Sequence, residues 1–165
     1  MSKRNHRVAV VLGMCIGLSA GLARQAQAQT LTDKDRAEIR KLSDDYVTTL
    51  DGCKLDAYAN LFTADGAFIS GPRGNLVGHE KLEALVTSER HCQPGAAGGS
   101  SVSHAFTKVV IDPSAEGATG KVYLPGRDPG SSGGHYEDVY VKTADGWRFK
   151  SRKYLSPKEE TAASQ

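Results

Sequence analysis

Tyr136-Glu137-Asp138-Val139-Tyr140-Val141-Lys142 is followed by Thr143-Ala144-Asp145-Gly146 and then by Trp147-Arg148-Phe149-Lys150-Ser151-Arg152-Lys153-Tyr154-Leu155. On either side of a short polar turn, side chains alternate with a period of two and include β-branched and aromatic residues. That pattern predicts strands over 136–142 and 147–155. Val102 to Ile111 and Ala118 to Leu124 read the same way, with Asp112-Pro113 to Gly117 as a tight connection between them. Pro125 to Gly134, with four glycines and two prolines, is a longer loop.

Upstream of Val102 the period is that of helices. Thr32 with Asp35 three residues later is a helix-start signature, and Ile39, Leu42, Tyr46, Val47 and Leu50 recur at intervals of three and four. This helix should run from about Asp33 to Leu50 and stop at Asp51-Gly52, where glycine can take the left-handed conformation. A second short helix carries Leu55, Tyr58, Ala59, Leu61 and Phe62 inward, and Asp65-Gly66 marks a turn. Ala67 to Ser70 and Asn75 to Val77 form two short strands around Gly71-Pro72-Arg73-Gly74, and His79 to Arg90 is helical through Leu82, Leu85 and Val86. Gln93 to Ser101 is a glycine-, serine- and alanine-rich loop, and Lys158 to Gln165 a frayed tail. Helices first and strands afterwards predict an α+β fold: N-terminal helices packed on a curved, mostly antiparallel sheet that closes into a cone-shaped barrel.

Residues 1–28 pair a basic start (Lys3, Arg4, Arg7) with an apolar run from Val8 to Leu22 and end in Ala26-Gln27-Ala28, the pattern of a cleavable signal peptide. The run of 15 residues is short of the roughly 20 that span a bilayer, so no membrane anchor is expected after processing, and the protein is expected to be periplasmic or secreted. Residues 29–157 then form one domain and 158–165 a flexible tail. Processing removes four of the 21 basic residues and none of the 19 acidic ones, leaving a net charge of −2. Nucleic acid and anionic membranes demand a strongly basic face and are poor candidates as partners.

Cys53 and Cys92 remain after processing, and in an oxidising compartment they can pair only with each other; the alternative is two small buried thiols. No Cys-x-x-Cys or His-x-x-x-His spacing occurs, so no metal site is expected. No Gly-x-Ser-x-Gly elbow supports nucleophilic hydrolysis, and Gly95 to Gly99 lacks the lysine of a phosphate-binding loop.

Candidates for chemistry remain. Asp51 closes the first helix at the unfavourable negative pole of its dipole and needs a partner, unless it is a solvated turn acid. Tyr46, five residues earlier, points within roughly 140° of it. His104 shares a strand face with Val102 and Phe106 and should point inward. Paired with Asp51, its imidazole would keep one nitrogen protonated and leave the other as a general base; satisfied by backbone, it would be a core histidine. In the last strand, Trp147, Phe149 and Ser151 alternate with Arg148, Lys150 and Arg152, so one face is cationic unless the strand bends. Next to it, Tyr136, Asp138 and Tyr140 face opposite His135, Glu137 and Val139, and either set could be inward.

The order and spacing of Tyr46-x4-Asp51-x4-Asp56-x4-Leu61-Phe62-x2-Asp65-Gly66, Gly78-His79-Glu80, Ser103-His104, Gly134-His135-Tyr136-Glu137-Asp138 and Gly146-Trp147-Arg148-Phe149 to Arg152 resemble the SnoaL-like branch of the nuclear transport factor 2-like superfamily over almost the whole of residues 29–157. Tyr46, Asp51, His104 and Arg152 resemble the tyrosine, aspartate, histidine and arginine of bile-acid 7α-dehydratases, and Asp51 with His104 is similar to the pair of scytalone dehydratase. Both are cofactor-free lyases. The resemblance implies proton abstraction next to a carbonyl by His104, oriented by Asp51, with Tyr46 donating to the enolate oxygen and Arg152 holding a carboxylate or enolate. It also implies Phe62, Phe106 and Tyr136 as ligand-binding residues, His135 as a rim residue, no cofactor, and a small apolar carbonyl compound as partner. An exposed sheet face suits a homo-oligomer.

The dehydratases carry another acid or histidine on the strand that here reads Ala118 to Leu124, and this one offers only Lys121 and Tyr123, so the leaving group lacks its acid. Two readings follow: a dehydratase or isomerase, which needs His104 against Asp51 in a pocket, or a non-catalytic binding or dimerisation module, favoured if bulky side chains fill the cone.

Overall fold

The computed structural model describes residues 30–90, 92, 105–128 and 130–163. Helix α1 (Asp33–Asp51) begins at a capping box: the Asp35 backbone N–H donates to Thr32 Oγ1 at 3.1 Å, and the Thr32 N–H donates back to Asp35 Oδ2 at 3.1 Å. It buries Ile39, Leu42, Ser43, Tyr46 and Leu50. The helix stops at Gly52 as expected, but the left-handed residue is Cys53, with φ 52°, while Gly52 has φ −85°. Gly52 answers a different need, since a Cβ there would lie 2.7 Å from the Thr48 carbonyl.

Cys53 owes its place to a disulfide with Cys92, whose Cα lies 5.8 Å away. The bridge ties the end of α1 to the residues just beyond α3 (His79–Arg90). Closing a loop of 39 residues, it is expected to contribute about 2–4 kcal/mol. Urea unfolding of the Cys53→Ser/Cys92→Ser variant should show that loss; an unchanged midpoint would mean that packing alone closes the loop.

Helix α2 (Leu55–Ala59) is shorter than the sequence suggested. Leu61 and Phe62 leave it, and Phe62 opens strand β1 (Phe62–Ser70), which runs straight through the expected turn at Asp65-Gly66. The irregularity that Gly66 signals is a register shift between Phe62 and Ala67 against the neighbouring strand. Strand β2 (Gly74–Val77) returns through a hairpin that Arg73 fastens to α3 by a bidentate pair with Glu89, both bonds at 2.7 Å.

Four strands follow: β3 (Lys108–Ser114), β4 (Gly117–Pro125), β5 (Ser132–Thr143) and β6 (Gly146–Leu155). β3 continues through Pro113, where a turn was expected. It is the last strand of the sheet in the described residues, so the missing N–H of proline costs it no ladder bond. The six strands lie in the order β2-β1-β6-β5-β4-β3, all antiparallel except the β1–β6 pair. The sheet is curved but open: in the described residues it ends on β2 and β3 and does not close into a barrel.

The expected frayed tail is instead helix α4 (Pro157–Ala163) over most of its length. Ser156 caps it, with the Ser156 N–H and hydroxyl donating to Glu159 at 2.8 and 2.6 Å and Pro157 at the first helical position. Glu160 on its next turn meets His135 Nδ1 on β5.

Asp35 also joins α1 to the sheet, accepting from Lys142 Nζ at 2.7 Å and from the Trp147 indole N–H at 3.0 Å. Lys142, then Thr32, then Trp147 hold its carboxyl well below the usual carboxylate range. Because the folded value lies below the unfolded one of about 4, this group stabilises the fold above that pH. Its contribution fades as pH falls through the depressed folded value. The Asp35→Asn variant is expected to lose that part of the acid limb in thermal unfolding, from roughly pH 5 downward; a limb identical to that of the unsubstituted protein would rule Asp35 out as its source.

Candidate functional site

The interior forms where α1 crosses the sheet, and one irregularity decides what points into it. Strict alternation along β6 would put Trp147 and Phe149 on one face and Arg152 on the other. The register against β5 shifts instead: Val139 lies opposite Ser151 and Tyr140 opposite Phe149, leaving Lys150 as an extra, bulged residue. The bulge turns Arg152 to the same side as Trp147 and Phe149 and leaves Lys150 outside against Asp65. This is the bend that the sequence left open, and it internalises one cation of three.

Arg152 is 0 % exposed. Directly opposite on β5, Asp138 (2 % exposed) accepts from Arg152 Nε at 2.9 Å and from Nη2 at 2.8 Å, a bidentate pair inside the fold. Arg152 Nη2 also reaches Ser43 Oγ on α1 at 3.4 Å. The Tyr140 hydroxyl donates to Asp138 Oδ2 at 2.7 Å. Gly120 on β4 makes room for that hydroxyl, because a Cβ there would lie 2.8 Å from the Tyr140 ring and 3.0 Å from its oxygen. Burial works against the arginine charge, but the Asp138 carboxylate more than offsets it and holds the guanidinium pKa above its ordinary value. Among the described residues, Nη1 has no hydrogen-bond partner.

Aromatic rings enclose the pair. Arg152 Cζ lies 4.2 Å from the Tyr46 ring centroid, 4.3 Å from Phe149, 4.5 Å from Tyr136 and 5.8 Å from Phe106. Tyr46 packs against Tyr58 of α2 at 5.2 Å and Tyr136 at 5.8 Å, and Tyr136 against Tyr154 at 5.7 Å. Burial pushes the Tyr46, Tyr58 and Tyr136 phenols well up, with Arg152 opposing, so all three are neutral O–H groups at ordinary pH. Tyr58 Oη senses the Tyr46 hydroxyl but makes no hydrogen bond of normal geometry.

Of the expected site residues, the structure therefore brings together Tyr46, Tyr136, Phe106 and Arg152. Arg152 is not the open clamp the resemblance implied, since two arms of its guanidinium are committed to Asp138. Phe62 packs between Tyr58 and Phe149 at 5.6 and 5.1 Å as part of the aromatic core. Asp51 is the last residue of α1, half-buried. His104 lies outside the described residues; Phe106, two residues further on, has its ring beside Arg152. His135 is not at the rim. It sits on the opposite face of β5 from Tyr136, under α4, between Glu160 and Glu137 and stacked on Tyr123.

Sequence reasoning missed Asp138, Tyr140 and Tyr58 as members of the site. Asp138 did leave a signal, a lone acid on the face it shares with Tyr136 and Tyr140. On β4 the inward residues include Ala118, Gly120 and Val122, while Lys121 pairs with Glu137 and Tyr123 with His135 on the other face. Among the described residues no group of three or more His, Cys, Asp or Glu could hold a metal, and no helix is long and apolar enough to cross a membrane.

Comparison with known proteins agrees with this architecture. An NTF2-like protein with a cystatin-like fold from Novosphingobium aromaticivorans superposes with a TM-score of 0.61 at 20 % identity, covering 79 % of this chain and 87 % of its own. A provisionally assigned aromatic ring hydroxylase from the same organism gives 0.63 at 20 % identity, with coverages of 78 % and 92 %. A provisionally assigned scytalone dehydratase from that organism gives 0.57 at 21 %, with coverages of 74 % and 84 %. These likenesses concern the fold. No curated protein matches the chain in sequence. The family model of the SnoaL-like domain matches residues 32–153, and the chain belongs to that family.

Proposed function

We propose that this protein is a cofactor-independent isomerase or lyase that removes a proton next to a carbonyl of a small, apolar molecule. The observation that supports it best is the gathering of neutral tyrosine hydroxyls and one uncommitted guanidinium nitrogen, Nη1, within an aromatic interior. Such donors, already oriented and shielded from water, stabilise the negative charge that builds on a carbonyl oxygen when an adjacent C–H is broken. Neutral phenols suit this task because they donate without bringing charge of their own. His104 takes the proton and Asp51 orients its imidazole. β4 offers only apolar side chains to the interior at Ala118 and Val122, so an acid for a departing hydroxyl is missing from that strand. Isomerisation, in which His104 returns the proton at another carbon, is therefore favoured over dehydration.

The filled interior supports a second reading, a ligand-binding module without turnover, since Tyr46, Tyr58, Phe62, Tyr140, Phe149 and Arg152 are all buried. Under either reading the protein is exported with residues 1–28 removed. The Cys53–Cys92 bridge supports export, as such bonds persist in oxidising compartments.

NMR titration of the His104 imidazole, alone and with Asp51→Asn, tests the acid-base proposal. Loss of a carboxylate partner is expected to lower the His104 pKa by about one unit or more. An unchanged titration would mean that no pair exists and would leave the binding module as the working reading.

A further inference from the structure

We propose that Asp138 sets the charge class of the ligand: by taking up the charge and two N–H arms of Arg152, it leaves one donor nitrogen, Nη1, that donates to an uncharged oxygen such as that of a ketone or alcohol and disfavours carboxylates. This rests on the small-molecule reading above and narrows its substrate class.

A guanidinium has five N–H groups and carries its charge under all relevant conditions. Unpaired inside an aromatic cage, it would be a strong anion site. Here Asp138 lies directly across the β5–β6 ladder and takes Nε and Nη2 at 2.9 and 2.8 Å, while Ser43 takes up Nη2 as well. Tyr140 caps the same carboxylate. The guanidinium and Asp138 together are neutral, and the remaining polar groups nearby are the neutral phenols of Tyr46, Tyr58 and Tyr136.

Beside Tyr46, two buried polar atoms have no hydrogen bond of normal geometry among the described residues, Arg152 Nη1 and Tyr58 Oη. Buried donors without partners are rare, and here both belong to side chains packed against Tyr46. An oxygen acceptor held between rings would satisfy them without adding net charge. A carboxylate would bring a second negative charge close to Asp138, into a low-dielectric interior already in balance. Asp138 is thus a positioning residue, acting through Arg152.

Acetonaphthone and naphthoate, which share one bicyclic ring system and differ in charge, test this by calorimetric titration of the purified protein. Acetonaphthone should bind at least about tenfold more tightly. In Asp138→Asn, which frees the guanidinium charge, naphthoate should gain about tenfold or more relative to the ketone. Equal or tighter binding of naphthoate by the unsubstituted protein, or an unchanged preference in Asp138→Asn, would overturn the role of Asp138 while leaving the small-molecule reading in place. Failure of both probes to bind would overturn that reading together with the inference. Should Asp138→Asn not fold, the Arg152 side-chain NMR spectrum of the unsubstituted protein decides: acetonaphthone should move one Nη resonance and leave Nε, held by Asp138, unmoved, and a shift of Nε would contradict the proposal.

Discussion

Asp138→Ala is expected to destabilise the fold by about 3–5 kcal/mol, because it leaves the Arg152 guanidinium buried without a counter-charge. Arginine cannot escape by releasing its proton, and the rings at 4.2 to 4.5 Å from Cζ offer cation–π attraction but no carboxylate. The pair itself contributes far less than its rupture costs, since bringing both ions out of water consumes most of their mutual attraction. Asp138→Leu combined with Arg152→Met should accordingly recover most of the loss, which is the non-additivity expected of two contacting groups. Urea unfolding reads both effects as shifts of the midpoint at constant slope. A loss below about 1 kcal/mol in Asp138→Ala would show that the guanidinium is not dependent on Asp138.

The second large effect concerns turnover. His104→Gln is expected to lower the rate of proton removal from a bound ketone by about 10²–10⁴-fold, the usual contribution of a positioned general base. Tyr46→Phe should cost about 10²-fold by removing one donor to the developing oxyanion, with little change in ketone affinity. The split between rate and affinity separates the two readings of the site. If both variants bind and turn over the ketone like the unsubstituted protein, neither residue takes part in chemistry.

Much of the fold is legible in local signals. The Thr32 to Asp35 box and the apolar spacing through Leu50 place α1, and period-two alternation places β5 and β6 to within a few residues. What local reading missed depends on contacts between strands. The bulge at Lys150 arises from β6 pairing with β5, and it alone carries Arg152 to the inner face. Asp138 looked like any acid in a strand until the ladder set it opposite Arg152. Asp65-Gly66 had turn chemistry but lies within β1, where neighbouring strands override propensity. α4 was different: Ser156-Pro157-Lys158-Glu159 is a complete helix-start signal, hidden by the habit of treating chain ends as frayed.

The most direct test of the account is proton exchange. Acetonaphthone incubated with the purified protein in deuterated buffer should lose its methyl proton NMR signal, next to the carbonyl, faster than in buffer alone, and His104→Gln should abolish the acceleration. Binding of the ketone without accelerated exchange would contradict the acid-base mechanism and establish a ligand-binding module in its place.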